Sequence, residues 1–182
     1  MCALALALIV ACAPKQKVTE PPDFTASSEP EFVPERYQKL YRPGLAKKEE
    51  DQLRAELPYD SISLHRTPCF GSCPVYTVTF HRSGKAEFEA TQHLPDLGRF
   101  TGEIDVFTYG RLCYLIDNSH FRQMKGSYRA QWTDDTTCIV TIMEGARRTE
   151  VSDYGRSGPI ELWAIQELID SIRKRIEWKP VP

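Results

Sequence analysis

Two short apolar alternations separated by three residues constrain this chain most. Tyr76, Val78 and Phe80 recur at every second position, and after Arg82-Ser83-Gly84 the same period resumes at Ala86, Phe88 and Ala90, with Lys85, Glu87 and Glu89 between them. A period of two sends alternate side chains to opposite faces, so both segments read as half-buried β-strands. The connection decides their register. A two-residue loop at Ser83-Gly84 would set Phe80 against Glu87 and mix apolar with charged faces, because a slip of one residue moves every side chain across the sheet. A three-residue loop with Gly84 in the left-handed conformation pairs Phe80 with Ala86 and Val78 with Phe88, and this register is expected.

The same reading extends in both directions. Ser61 to Arg66 alternates, with Ile62 and Leu64 on one face, and a short extended piece runs from Phe100 to Ile104. Asp105 then caps a helix through Ile116, whose Tyr109, Leu112, Cys113 and Ile116 make a core-facing stripe. Thr136 to Met143 places Cys138, Val140 and Ile142 together and turns near Glu144-Gly145 into a strand from Ala146 to Ser152. Pro159 opens a last helix with an apolar stripe at Leu162, Ile165, Ile169, Ile172 and Ile176. These elements predict an α+β fold: an antiparallel sheet of about five strands in hairpins, with two helices packed on one face. The domain spans residues 58–178, with 179–182 as a tail, and no internal repeat is present.

Ahead of the domain, residues 12–57 read as a tether. Pro14, Pro21, Pro22, Pro30, Pro34 and Pro43 interrupt a stretch rich in Glu, Lys and Ser that has too little apolar surface to offset its ordering entropy. An exposed helix is expected from Leu45 to Leu57, where Lys47, Lys48, Glu49, Glu50, Asp51 and Arg54 dominate. The chain opens on an uncharged apolar run, Ala3 to Val10, followed by Ala11-Cys12, and Ile9-Val10-Ala11-Cys12 resembles a bacterial lipobox. Residues 1–11 would then be a signal peptide and Cys12 the lipid-attachment site, with multiple acylation sufficient for stable anchoring. The run is well short of the roughly 20 residues a membrane-spanning helix needs. The competing reading is an ordinary secretory signal cleaved at Ala11 or Ala13, which also exports the domain. No Lys or Arg precedes Lys15, so the natural start is expected upstream of Met1. Ala13, after the cysteine, favours the outer membrane, facing the periplasm or the cell surface.

A net charge of -2, with only short basic clusters at Arg147-Arg148 and Arg173-Lys174-Arg175, gives no reason to invoke nucleic acid, and those clusters read as solvated faces. The expected partners are the membrane, through the anchor, and an unknown protein or other envelope component.

Between the first two strands lies the sharpest local pattern, Arg66-Thr67-Pro68-Cys69-Phe70-Gly71-Ser72-Cys73-Pro74-Val75-Tyr76. Together with the Ser83-Gly84 turn, Thr133-Asp134-Asp135 before a strand and Val151-Ser152-Asp153-Tyr154 before a Pro-started helix, it resembles the bacterial family called domain of unknown function 6438, over roughly Ser61 to Arg173. The resemblance implies a fold and an exported compartment, and it carries no catalytic residue.

In an exported chain two thiols four residues apart should oxidise where geometry allows. Pairing of Cys69 with Cys73 is the simplest of three connectivities open to Cys69, Cys73, Cys113 and Cys138, and Gly71 would permit the tight bend between Pro68 and Pro74. Cys113 and Cys138 fall on inward faces and form either a second disulfide or a buried thiol pair. Two other chemistries compete at the first pair. A redox site is disfavoured by the three-residue gap and by the strand that follows, since oxidoreductase thiols sit at helix N-termini. A zinc site would recruit His65 or another histidine, for which no paired motif exists.

The remaining candidates read as structural. His65 and His81 take outward strand positions, while His93 and His120 lie in loops, where Asp117 is the carboxylate that would orient His120 as a base. Ser72 lacks a nucleophile elbow, and Asp134, Asp135 and Asp153 lack EF-hand spacing and read as turn and capping residues. Tyr109, Tyr114 and Tyr128 belong either to the core or to a binding surface. No catalytic, cofactor-binding or metal residue is assigned. The functional reading is a lipid-anchored, non-enzymatic binding module, with an exported thiol-disulfide enzyme using Cys69 and Cys73 or a periplasmic metal-binding protein as alternatives.

Overall fold

The computed structural model describes residues 34–41 and 46–182. The expectations that fall on the signal segment, Cys12 and the tether up to residue 33 lie outside the described residues.

Alternation builds the sheet. Its strands are β1 (Ser61–Arg66), β2 (Val75–His81), β3 (Lys85–Gln92), β4 (Gly98–Glu103), β5 (Ser127–Arg129), β6 (Thr137–Glu144), β7 (Arg147–Tyr154) and β8 (Lys179–Pro180), in the order β5-β7-β6-β1-β2-β3-β4-β8. Phe80 faces Ala86 and Val78 faces Phe88 across β2 and β3, and Gly84 closes the three-residue connection at φ 97°, as its turn requires. The sheet corrects the five-strand, wholly antiparallel expectation. Lys179–Pro180, expected as a tail, pairs with β4, and Ser127–Arg129 pairs with β7 in parallel. Both additions are edge strands of two or three residues, too short for a period of two to register.

One face of this sheet is covered. Ile62, Leu64, Val78, Phe80, Val140 and Ile142 are buried beneath α3 (Val106–Asn118) and α4 (Ile160–Arg173), whose stripes Tyr109/Leu112/Cys113/Ile116 and Leu162/Ile165/Ile169/Ile172 complete the core. Asp105 caps α3 by accepting the Thr108 N–H at 2.8 Å. The opposite face carries Ser63, Thr77, Thr79 and Thr141, with exposed Glu87 and Glu89 beside them.

The tether expectation fails over its last part. Glu35–Gln38 forms α1, continued by a 3-10 turn at Lys39–Tyr41, and Lys47–Glu56 forms α2. Tyr37, Leu40, Leu53 and Leu57 are buried in the same core as the sheet. The Tyr37 hydroxyl donates to Asp117 at 2.6 Å, and Leu40 packs so closely over α3 that a Cβ on Gly110 would lie 2.4 Å from its Cδ2. The compact unit accordingly runs from Val33 to Pro182. Composition averaged over the segment hides this, because four well-placed apolar side chains among many charges are enough to dock two short helices.

Candidate functional site

Strand direction gathers the connections at two ends of the sheet. The loops 67–74 (β1 to β2), 93–97 (β3 to β4), 130–136 (β5 to β6) and 155–159 (β7 to α4) all emerge at the end where Arg66 faces Tyr76 and Cys138. The cysteine loop is the most prominent feature of this rim. The Cys69 and Cys73 sulfurs lie at bonding distance and their Cα atoms are 5.7 Å apart. Inside the bridge the Gly71 N–H donates to the Cys69 carbonyl at 2.9 Å. Gly71 has no positive φ, and an added Cβ would meet only the Cys69 sulfur at 3.8 Å, so the bend does not depend on glycine there. Phe70 stands at the tip, 89% exposed.

Two sets of polar contacts hold that loop from below. At its first residue, the Thr67 N–H donates to the Thr137 carbonyl (3.0 Å), the Thr137 N–H donates to Thr67 Oγ1 (2.9 Å), and the Thr136 hydroxyl donates to the Thr67 carbonyl (2.6 Å). This stitches the loop to the neighbouring segment 130–136. At the other end, buried Tyr76 donates its hydroxyl to Asp170 Oδ1 at 2.6 Å, and Arg173 binds the same carboxylate while its guanidinium lies 4.6 Å from the Tyr76 ring centroid and 5.2 Å from that of Phe88. Burial alone would raise the Asp170 carboxyl, but hydrogen bonds from Lys174, Tyr76 and Arg173 outweigh it and hold it down at about 2. Burial pushes the Tyr76 phenol well above its usual value, and the Asp170 carboxylate adds to the shift. Arg173 therefore corrects its expected role as part of a solvated basic face: its side chain is only 12% exposed. The Arg66 guanidinium lies 6.0 Å from the Tyr76 centroid, with its buried Nε unpartnered.

The adjoining loops present apolar side chains too. Trp132 donates its indole N–H to Asp135 at 3.1 Å and lies over Gly155, whose φ of 67° and 2.8 Å clearance from the Ala130 Cβ exclude a side chain. Asp135 also accepts the Thr136 N–H, and its own backbone N–H donates to the Tyr154 hydroxyl oxygen at 3.2 Å. Asp153 is buried and accepts the N–H groups of Ser157 (2.9 Å) and Gly158 (2.8 Å) and the Gln166 amide (3.2 Å), which fixes the chain as it enters α4.

Other residues singled out by pattern are dispersed. His65 bonds Thr77 and His81 bonds Glu87 on the opposite sheet face, which no described helix covers. His120 and Asp117 line one hollow of about 310 Å³ at the opposite end of the sheet, but the two Asp117 oxygens accept the hydroxyls of Tyr37 and Tyr59, so Asp117 does not orient the imidazole. Tyr109 is buried and donates to the Tyr59 carbonyl, and Tyr114 and Tyr128 pack against the core. Cys113 and Cys138 are both buried, and no bond joins them in the structure. Among the described residues no three His, Cys, Asp or Glu side chains converge as metal ligands. A cleft of about 850 Å³ lies away from the rim and is lined by mixed charges including Arg54, Glu103, Asp105 and Arg175.

Sequence reasoning located the cysteine loop and missed what braces it. Asp170, Arg173 and Lys174 at i, i+3 and i+4 carry the one legible signal, a helical ion-pair spacing. Nothing local ties Tyr76 to Asp170, 94 residues later. A family model described as domain of unknown function (DUF6438) matches residues 60–173, more than half of the chain. No curated protein matches the chain.

Proposed function

We propose, from the premise that this chain belongs to the DUF6438 family, that it is a lipid-anchored extracytoplasmic binding module, attached to the cell envelope through Cys12 and making its contact through the loop that carries Cys69 and Cys73. The carrying observation is Phe70: a phenyl ring left almost wholly in water, at the tip of a loop closed by a cysteine bridge and braced on buried Tyr76 and Asp170. Apolar surface in water costs about 25 cal/mol per Å². A rigid loop that holds such a ring outward is pre-organised for a contact that covers it.

The rim's chemistry supports binding over turnover. The Cys69–Cys73 pair sits between two strands, whereas a thiol enzyme activates its attacking sulfur at a helix N-terminus or beside a cation. Ala13 after Cys12 supports an outer-membrane address over retention at the inner membrane.

Mass spectrometry of the native protein tests the anchor and is expected to find Cys12 acylated. A photo-crosslinking residue at position 70, in intact membranes, should capture a neighbour that the same residue at position 87, on the uncovered sheet face, does not. A soluble, unacylated native product would overturn the anchoring. Loss of a defined reaction in Cys69→Ser with the fold intact would overturn the binding role.

A further inference from the structure

We propose that the loop rim seats on the lipid bilayer, with Phe70, Leu97, Trp132 and Ile160 entering the boundary between headgroups and acyl chains. The proposal rests on the anchored-module reading above and names its partner. Five large hydrophobic side chains stand exposed among the described residues: these four and Val181. Each of the four belongs to a different connection, and strand direction brings all four connections to one end of the sheet: Phe70 between β1 and β2, Leu97 between β3 and β4, Trp132 between β5 and β6, Ile160 at the start of α4. Val181 follows β8 and donates its N–H to the Arg99 carbonyl near that same end. The turns at the other end, Arg82-Ser83-Gly84 and Gly145-Ala146, carry none.

Their spacing argues for a fluid partner. The four come from connections spread across the sheet from β5 to β4, with neighbouring strands about 4.8 Å apart, so they are distributed along the rim as tips of different loops. A protein surface would need a matching hollow for each tip; acyl chains close around any of them. Charge agrees with a zwitterionic leaflet. Residues 67–75 contain no charged side chain, and elsewhere on the rim Asp96, Asp134, Asp135 and Glu161 are offset by Arg66, Arg99, Arg129 and Arg156. Trp132 would enter with its N–H already bonded to Asp135, and aromatic side chains favour the interface.

The chain allows this orientation. Pro34, where the described fold begins, lies beside Asp117 at the end of the sheet opposite the rim. The 22 residues from Cys12 to residue 33 can span at most roughly 70 Å, against about 26 Å for an eight-residue strand. The anchored domain can therefore turn its rim to the bilayer, where tethering raises the local concentration enough for a few side chains to suffice.

The full chain in phosphatidylcholine vesicles containing acyl-chain-brominated phosphatidylcholine tests the seat, because bromine quenches only an indole that reaches the acyl region. Trp163, one turn into α4 from Ile160, and Trp178 also emit, so the difference between the wild type and Trp132→Phe is what isolates Trp132. The expected result is strong bromine quenching of the Trp132 emission, unchanged by added salt, and lost in Phe70→Ser/Leu97→Ser/Ile160→Ser. Phe70→Ser alone, at a side chain that contributes nothing to the core, should lower the partition of the rim about tenfold and guards against misfolding of the triple variant. Absence of Trp132 quenching in the wild type, equal quenching in the variants, or crosslinks from position 70 to protein and not to lipid would overturn the seat. The outcome at Cys12 is separate: an unacylated chain removes the anchor, while the quenching still decides what the rim touches.

Discussion

At the scale of single residues the decisive group is Asp170, one carboxylate that serves a tyrosine, an arginine and a lysine beneath the cysteine loop. Its folded pKa of about 2 lies below the unfolded carboxylate value, so its stabilisation is fully present above about pH 4 and is lost as pH falls through about 2. The shift corresponds to about 2 kcal/mol. Asp170→Asn should lower stability by about 2 to 3 kcal/mol at neutral pH, because it also strands the nearly buried Arg173. Denaturant midpoints followed from pH 5 to pH 2 should show the wild type converging on the variant. The two free thiols make a second residue-scale case. Burial raises the pKa of both Cys113 and Cys138, so neither should alkylate in the native state at neutral pH, and both should do so after unfolding. Peptide mass spectrometry of the two labelled samples checks this.

At the scale of elements, legibility followed length and period. The stripe on α3, the cap at Asp105 and the pairing of Phe80 with Ala86 were readable because each is specified within about ten residues of sequence. The helix α2 was readable as well, inside the expected Leu45 to Leu57, but as an exposed helix, and α1 was not. Charges dominate any window average over both, and what they hide is the contact that Tyr37, Leu40 and Leu53 make with the core. This has a measurable consequence. A tether contributes nothing to stability, whereas Leu53→Ala, at a site 1% exposed, should cost about 2 to 4 kcal/mol in equilibrium unfolding. The edge strands β5 and β8 escaped for the complementary reason: with two or three residues each they owe their extended form to the neighbour they pair with.

At the scale of the whole molecule the cysteine bridge shapes more than it stabilises. Closing a five-residue loop contributes about 2 kcal/mol in the chain-entropy model, a small share of what a core of this size provides. Cys69→Ser/Cys73→Ser should therefore unfold at a modestly lower denaturant concentration with an unchanged slope, while the loop itself loses protection in hydrogen exchange. Strand periods, helix stripes, the turn at Gly84 and the cysteine loop were determined by the sequence alone, because each depends on side chains close together along the chain and on the face they share. The eight-strand order, the docking of Tyr37 on Asp117, the brace from Tyr76 to Asp170 and the gathering of Phe70, Leu97, Trp132 and Ile160 at one rim were decided by tertiary structure. Those arrangements join residues up to 94 positions apart, and only the direction and order of the strands bring them to the same end of the sheet.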